Sequence, residues 1–190
     1  MKKSTWITLG VVLGVVILLI ILMMGAYNGM VGLSETVTAK ESDIQVLLQR
    51  RMDLVPNLVN TVQGFNIQEQ TIIEDITNAR AQMSGATNLE EQVAANDALS
   101  GALSRLLVVV ENYPELKSNA LFTQLMDELA GTENRISVAR QDYNTAVRAY
   151  NAKVKRFPNN ILAGLFGFSE KPYFEADPAA STAPQVSFGQ

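Results

Sequence analysis

The chain has 190 residues, 47% of them apolar, and it contains no cysteine and no histidine. The missing residue types exclude disulfides, thiol nucleophiles, Ser-His-Asp catalysis and nearly every zinc site within this chain. Apart from Lys2 and Lys3, 13 basic and 19 acidic residues give a net charge of −6, which is not the electrostatic footprint of a nucleic-acid-binding protein.

An uncharged apolar segment lies near the N-terminus. No charged residue occurs between Lys3 and Glu35, and residues 6–24 are almost continuously hydrocarbon. As a helix this stretch would span roughly 28 Å, close to the thickness of a bilayer core. It exceeds the ~7–15 apolar residues of a signal peptide, and Met24 occupies the position where cleavage requires a small residue. The sequence predicts a basic tail over residues 1–5 and a transmembrane anchor over residues 6–26.

Basic residues predict the orientation of this anchor. Lys2 and Lys3 precede it, whereas Lys40 is the one basic residue within about 15–20 residues after it. The positive-inside rule then favours a cytoplasmic N-terminus. We therefore expect a single-pass protein with the bulk of the chain on the extracytoplasmic side.

Beyond the anchor, apolar residues recur every three or four positions, as they do on one face of a helix. One stripe runs from Ile44 to Ile76, and a second extends over residues 89–110. A third, with heptad spacing, extends over residues 122–157. Asn88 with Glu91 resembles a capping box, and Ser118 or Asn119 can cap the third helix. We expect a bundle over residues 27–157 with helices at about 30–53, 54–82, 88–112 and 118–157.

Pro56 interrupts the first of these stripes. A proline inside a helix removes a backbone donor at a cost of ~3 kcal/mol. The stripe keeps its phase across Pro56, which indicates a kink and not a turn. In this interpretation Asp53 caps a second helical segment, and Arg50 and Arg51 lie in the last turn of the first, where cations are favourable.

These elements predict an all-α fold, with an N-terminal transmembrane helix followed by an antiparallel bundle of three long helices. The first of the three is kinked near Pro56. The middle helix is too short to cover both of its partners, so apolar surface is expected to remain exposed. Such surface on a membrane-tethered rod favours association with further copies of the chain.

The end of the third helix is basic and is followed by an apolar segment at residues 158–175. A basic cluster beside an apolar stretch is typical of an interfacial lipid-binding element, although cations at a helix C-terminus also complement its dipole. The apolar segment either caps the open end of the bundle or contacts lipid or a partner. The Pro, Ala and Ser content of residues 176–190 predicts a disordered tail. The candidate contact residues are Arg148, Lys153, Lys155, Arg156, Leu165, Phe166 and Phe168.

Two further patterns lie on the third helix. A candidate partner face consists of Glu133, Asn134 and Arg135. The alternative interpretation is that these residues belong to a solvent-exposed network of ion pairs. The dipeptide Tyr-Asn occurs at residues 143–144 and again at 150–151. Its seven-residue spacing indicates ordinary heptad packing, with the phenol hydroxyls at the rim of the core.

Five blocks of the sequence resemble the LemA family of small bacterial membrane proteins. They are YNGMV (27–31), LLQRRMDLVPNLVNTVQGF (47–65), ENYPELKSN (111–119), GTENRISVARQDYNTAVRAYN (131–151) and FPNNILAGLFGF (157–168). The resemblance implies an N-terminal anchor followed by a bundle of long helices in the bacterial inner membrane. It implies no catalytic residue, cofactor or substrate. The family is associated with envelope maintenance, membrane proteases and, in magnetosome-forming relatives, membrane remodelling. Some relatives are described with the N-terminus outside, opposite to the charge-based orientation.

Taken together, these features predict a non-enzymatic, membrane-anchored helical scaffold of the bacterial envelope. We expect it to self-associate as a homo-oligomer, to contact membrane lipid, and to organise or remodel membrane or position an envelope partner protein. No cofactor, metal or nucleic acid is expected. The alternative is an extracytoplasmic sensory or adaptor domain that serves an envelope protease or binds a small ligand.

Overall fold

One long helix carries both the predicted anchor and the first part of the bundle. The structure, a computed structural model, describes residues 3–65 and 69–174, and α1 covers Lys3–Gln63. Its 61 residues extend about 90 Å. The large apolar side chains described from Trp6 to Met24 are all exposed, whereas Met30, Val37 and Ile44 are fully buried. The exposed apolar part of α1 therefore ends, and the bundle begins, between Met24 and Met30.

The described residues form six helices and no strand, which confirms the predicted all-α class. After α1 come α2 (Gln70–Gly85), α3 (Leu89–Val110), α4 (Pro114–Lys117), α5 (Ala120–Lys155) and α6 (Asn159–Phe166). Two of these helices are long and apolar enough to cross a membrane, namely α1 and α3. In α3, 44% of the apolar window is buried inside the bundle, against 0% in α1. This burial identifies α3 as a core helix.

The helices pack as two antiparallel pairs. The α1–α5 pair is joined by ion pairs between Lys40 and Asp142 at 3.2 Å and between Arg50 and Glu128 at 3.3 Å. The α2–α3 hairpin covers the part of α1 that is distal to the anchor, and Met83 and Gln92 near its connecting turn line one pocket with Gln45. Between Tyr27 and Lys40, α1 therefore pairs mainly with residues 142–155 of α5. We call this two-helix region, about 20 Å long, the stalk.

The apolar stripes predicted from the sequence form the core. In α5 the residues from Phe122 to Val154 of the predicted heptad are all buried. The assignment of Phe157 to this stripe is wrong: the residue is 75% exposed because α5 ends at Lys155 and the next residue is extended. In α3 the predicted stripe is buried except for Leu107, which is 49% exposed. Apolar residues at helical spacing thus predicted the core of both helices, except Phe157 beyond the end of α5 and Leu107 in α3.

The predicted division of the first helix at Asp53 is wrong. The helix α1 continues through Pro56 to Gln63, and α2 begins at Gln70, so the predicted 54–82 helix is not one helix. Asp53 accepts a hydrogen bond from Gln49 Nε2 at 2.8 Å within α1 and does not cap a new helix. The physical reason lies on α2, where Arg80 Nε donates to the Met52 carbonyl at 3.1 Å. A bend at Pro56 within the continuous helix stays a prediction.

The predicted helix starts are confirmed at two positions. The Asn88 side chain accepts from the Glu91 N–H at 2.8 Å, and the Asn119 side chain accepts from the Phe122 N–H at 2.9 Å. Glu91 reaches back to the N–H and the hydroxyl of Thr87. These hydrogen bonds, first that from the Thr87 N–H, lower the pKa of Glu91. The tight start of α3 fixes where the α2–α3 hairpin turns.

Parts of the predicted organisation lie outside the described residues. These are residues 1 and 2 of the basic tail and residues 175–190, which include the predicted disordered tail. Residues 3–5 of that basic tail already belong to α1. The apolar segment predicted at 158–175 contains α6 and a stretch without regular secondary structure up to Phe174.

Candidate functional site at the membrane-proximal end

The helix α6 packs against α1 directly beyond the anchor. The ring of Tyr27 lies edge-on to Phe166 and Phe168, with centroid distances of 5.1 and 5.6 Å. Ala163 is 2% exposed, and Leu162 and Phe168 pack partly buried against the core. One face of α6 therefore covers the end of the bundle, as the end-capping alternative expected.

The opposite face of α6 is apolar and exposed. Ile161 and Leu165 lie four residues apart in α6, are 63 and 69% exposed, and share one side of the helix. Phe157, which precedes the helix, is 75% exposed. Phe166 is 47% exposed beside them. We call these four residues the outer face of α6. Because Tyr27 follows Met24 by less than one helical turn, the C-terminal end of α6 lies level with the end of the apolar anchor.

The structure ends α6 at a glycine and turns the chain away from the anchor. Gly167 adopts φ 77°, a left-handed conformation that L side chains rarely adopt, and closes α6 as its C-cap. At the start of α6, Asn159 Nδ2 donates to the Lys153 carbonyl at 3.2 Å, which satisfies a free carbonyl at the end of α5. These two residues set the position of α6 between the stalk and the chain that follows.

The predicted basic residues do not form one cluster. The Lys155 ammonium pairs with Glu170 at 2.7 Å, and this hydrogen bond raises the pKa of Lys155. The stem of Lys153 lies against Gly29, with its Cε 3.4 Å from where a β-carbon on that residue would be. Arg148 and Arg156 are exposed and make no ion pair in the described part of the chain. Of the four predicted cations, only Lys155 therefore has an acidic partner within the described residues.

Asparagines of the repeated Tyr-Asn dipeptide hold the chain that follows α6. The Asn151 amide donates to the Lys171 carbonyl and accepts from its N–H, both at 2.9 Å. The Asn144 amide makes the same pair of bonds with Phe174, again at 2.9 Å. We call residues 171–174 the strap, and these two asparagines the clamp. The heptad-packing interpretation of the repeat found the buried tyrosines and missed this role of the asparagines.

A polar layer crosses the core where sequence reasoning expected a helix end. Arg51 is 2% exposed and forms an ion pair with Glu133 of α5. Its guanidinium also donates to Asn96 and, at 3.0 Å, to Ser100 of α3. Burial lowers the pKa of Arg51, and the charge of Glu133 opposes that shift. The assignment of Arg51 to the last turn of a helix is therefore wrong, because α1 continues to Gln63 and the heptad position of Arg51 points into the core.

The candidate partner face is divided by this layer. Glu133 is turned inward to Arg51 and accepts a hydrogen bond from Asn96 Nδ2 at 3.1 Å. Asn134 and Arg135 are exposed, and Arg135 lines an open groove of about 600 Å³ together with Arg50 and Asp127. The signal for the layer was present in the sequence, since Arg51 continues the buried heptad of Met30, Val37, Ile44 and Leu58.

Comparisons with known proteins agree with this architecture. Magnetosome protein MamQ 2 of Paramagnetospirillum magneticum is 32% identical over 197 aligned residues, which cover 90% of this chain and 72% of that protein. Magnetosome protein MamQ of Magnetospirillum gryphiswaldense is 29% identical, with 84% and 70% covered. Protein LemA of Metamycoplasma hominis is 26% identical, with 70% and 61% covered. Residues 40–188 match the sequence profile of the LemA family, and the chain belongs to that family.

Proposed function

We propose that this protein is a non-enzymatic scaffold of the bacterial inner membrane that self-associates and organises or remodels the bilayer, or positions partner proteins there. In this proposal α1 anchors the chain in the membrane and α6 lies in the interface beside it. The bundle then stands above the membrane as a rod. The orientation with the bundle on the extracytoplasmic side belongs to the same proposal.

The outer face of α6 carries this proposal. An exposed apolar stripe on a short helix is costly in water, because each buried Leu, Ile or Phe contributes about 1.5–3 kcal/mol. A bilayer interface offers such burial to an amphipathic helix that lies in its plane. The position of Phe166 against Tyr27 brings this stripe to the level of the interface, and the exposed Arg156 beside it suits anionic headgroups.

The relatives support a role at membranes. Two of them are named magnetosome proteins, and the N-terminal apolar helix together with such relatives supports a membrane-associated protein. Relatives of this kind are not known as enzymes. That this chain also shapes membrane is part of the proposal.

The alternative of a ligand-sensing adaptor has weaker support. Small-molecule sites are concave and lined mainly by apolar and aromatic side chains. The groove beside Arg135 is lined by Arg50, Asp127 and Glu128 with small polar residues and no aromatic ring. Such a groove suits a charged protein surface better than a small apolar ligand.

The absence of cysteine makes the α6 proposal directly measurable. We would place a single cysteine at Ile161 or Leu165, attach a nitroxide, and measure its depth in vesicles that contain a fraction of anionic lipid. We expect both probes to lie within the interface, about 5–10 Å into the headgroup and acyl boundary. A matched probe at Val108, which is 71% exposed on the bundle, should report water. Probes at Ile161 and Leu165 that report the same water accessibility as Val108 would exclude the proposed contact.

Self-association needs its own measurement. The intact protein would be extracted in detergent and its mass determined by light scattering after subtraction of the detergent. A complex of several copies is expected. If the measured mass is that of a monomer at all concentrations comparable to those in native membranes, the proposed self-associating scaffold is wrong.

A further inference from the structure

We infer that the clamp of Asn144 and Asn151 is an exchangeable docking site for extended polypeptide, and that its occupant in the assembled protein is the strap of a second copy. This inference rests on the proposed self-association and names the surface that would produce it. The strap of each copy would leave its own α5 and lie on the α5 of a neighbour.

The clamp recognises main chain and not side chain. Each asparagine amide bonds both the N–H and the carbonyl of a single strap residue, so it is satisfied by any extended residue. The spacing also fits. Seven helical residues separate Asn144 from Asn151 by about 10.5 Å. Three residue steps from Lys171 to Phe174 cover about 10 Å only when the chain is nearly extended, so the paired hydrogen bonds imply an extended strap. The two asparagines on this face of α5 therefore match the residue spacing of an extended segment.

Side chains add selectivity for the sequence of the strap. The ring of Phe174 packs on Tyr143 with a centroid distance of 4.8 Å, and the Lys171 ammonium lies 5.6 Å from the centre of the Tyr150 ring. The clamp thus prefers a basic residue followed, three positions later, by an aromatic one. A second copy of this chain supplies that segment by definition, and the contacts within one copy show that it fits.

The strap is built so that it can change partners. Pro172 and Tyr173 are exposed, while Lys171 and Phe174 are half-buried. Because Phe174 and Lys171 contact the buried rings of Tyr143 and Tyr150, a strap that leaves is best replaced by another strap of the same sequence. The connection from α6 consists of residues 167–170, and short connections favour exchange of a terminal element between copies. The strap makes the same hydrogen bonds on a neighbour as on its own α5, so the balance depends on local concentration.

Membrane anchoring raises that local concentration and aligns the copies. Asn151 lies about two residues along α5 from Lys153, which is beside Gly29 of α1. Asn151 therefore stands roughly 10 Å, and Asn144 roughly 20 Å, beyond Met24 in every copy. Copies confined to one bilayer present their straps and clamps at the same height, so exchange requires lateral approach only.

Crosslinking of two kinds of copy tests this arrangement. One kind carries Arg148→Cys, an exposed position between the two asparagines, and the other carries Tyr173→Cys on the strap. The two full-length chains bear tags of different size and are co-expressed, and native membranes are treated with a short bis-maleimide. We expect a mixed dimer that joins residues 148 and 173. Asn144→Asp with Asn151→Asp, introduced into the Arg148→Cys chain, should lower its yield about tenfold, because each aspartate lacks the donor to the strap carbonyl.

The controls separate this inference from the proposed function. Val108→Cys replaces Arg148→Cys in a matched chain and should give no crosslink to Tyr173→Cys. A chain with both Arg148→Cys and Tyr173→Cys that crosslinks only within itself, with no mixed dimer, would overturn the exchange. Light scattering of the same sample then decides the rest: a complex of several copies leaves self-association in place through another surface, whereas a monomer overturns both.

Discussion

Arg80 of α2 donates from Nε to the carbonyl oxygen of Met52 in α1 at 3.1 Å. In a regular helix this carbonyl would accept the N–H of residue 56, but Pro56 has none. The guanidinium of a neighbouring helix thus replaces the missing donor. This contact explains how α1 passes through Pro56 without ending, and it ties the α2–α3 hairpin to one position along a 61-residue helix.

Removal of this donor should destabilise the bundle. We expect Arg80→Ala to lower the free energy of unfolding by about 1–3 kcal/mol, because the Met52 carbonyl would be left without a partner in a partly buried site. In a Pro56→Ala background the new alanine supplies the backbone N–H, so Arg80→Ala should then cost clearly less. Urea-induced loss of helicity for the four proteins of this cycle gives the coupling.

A matched arginine on the same hairpin provides the comparison. Arg105 pairs with Asp75 at 2.6 Å, and both side chains are largely exposed. Exposed pairs contribute under about 1 kcal/mol, so Arg105→Ala should be nearly neutral with or without Pro56. Equal costs of Arg80→Ala in the two backgrounds would show that the Met52 contact does not replace the helical hydrogen bond.

The buried ion pair between Arg51 and Glu133 should respond differently to single and double changes. Glu133→Gln leaves the Arg51 guanidinium, whose side chain is 3% exposed, without a counter-charge and should cost about 3 kcal/mol. In the double variant, Arg51→Leu places a leucine in an otherwise apolar heptad and no charge remains buried. The free energy of unfolding should then return to within about 1 kcal/mol of the parent. Urea midpoints measure both.

Glu128→Gln is the control for that experiment. It breaks the Arg50–Glu128 pair on the same two helices, where the side chains are 55 and 38% exposed, and should cost under about 1 kcal/mol. If Glu133→Gln were as mild as Glu128→Gln, the polar layer would contribute no more than a surface pair.

The start of α3 should make stability depend on pH at the acid end. Hydrogen bonds from Thr87 lower the pKa of Glu91 below its ordinary value of 4.5. A carboxyl group with a lowered pKa contributes stability that is present above its unfolded pKa and is lost as the pH falls through the folded value. We therefore expect the melting temperature of the parent to fall more between pH 7 and pH 3 than that of Glu91→Gln.

The adjacent acidic residue serves as the reference for this measurement. Glu90 is exposed on the same turn, and its carboxylate accepts no hydrogen bond among the described residues. Glu90→Gln should keep the acid sensitivity of the parent. Identical pH profiles for Glu91→Gln and the parent would show that the reach of Glu91 to Thr87 does not stabilise the helix start.

The sequence predicted those features that follow from spacing along one helix. The heptad of α5 and the cap at Asn88 depend on local periodicity and local hydrogen bonding, and both were found. The continuation of α1 through Pro56 depends on Arg80, which is 24 residues away and belongs to another helix. No pattern within a window of one helix contains that information, so the sequence predicts a helix boundary at Asp53.

The candidate site shows the same division. The apolar character of residues 161–168 was evident from composition, and the structure separates it into an inner face around Ala163 and an exposed outer face. The clamp was visible only as a repeat of Tyr-Asn seven residues apart. Its partner is extended main chain, which carries no sequence signal, so the repeat was explained by the buried tyrosines alone.

The contact of Tyr27 with α6 should control how firmly α6 is held. Tyr27→Ala removes both ring contacts, with Phe166 and Phe168, and aromatic pairs contribute about 0.5–1.5 kcal/mol each beyond their buried area. Amide exchange within α6, including the Phe168 N–H that donates to Ala163 at 2.9 Å, should become at least about tenfold faster. Hydrogen exchange with mass spectrometry on the detergent-solubilised protein measures this, with Phe157→Ala as a control that removes an exposed ring at the same end. Unchanged exchange in Tyr27→Ala would mean that Leu162 and Ala163 hold α6 without the aromatic cluster, and the level of the outer face would then not depend on Tyr27.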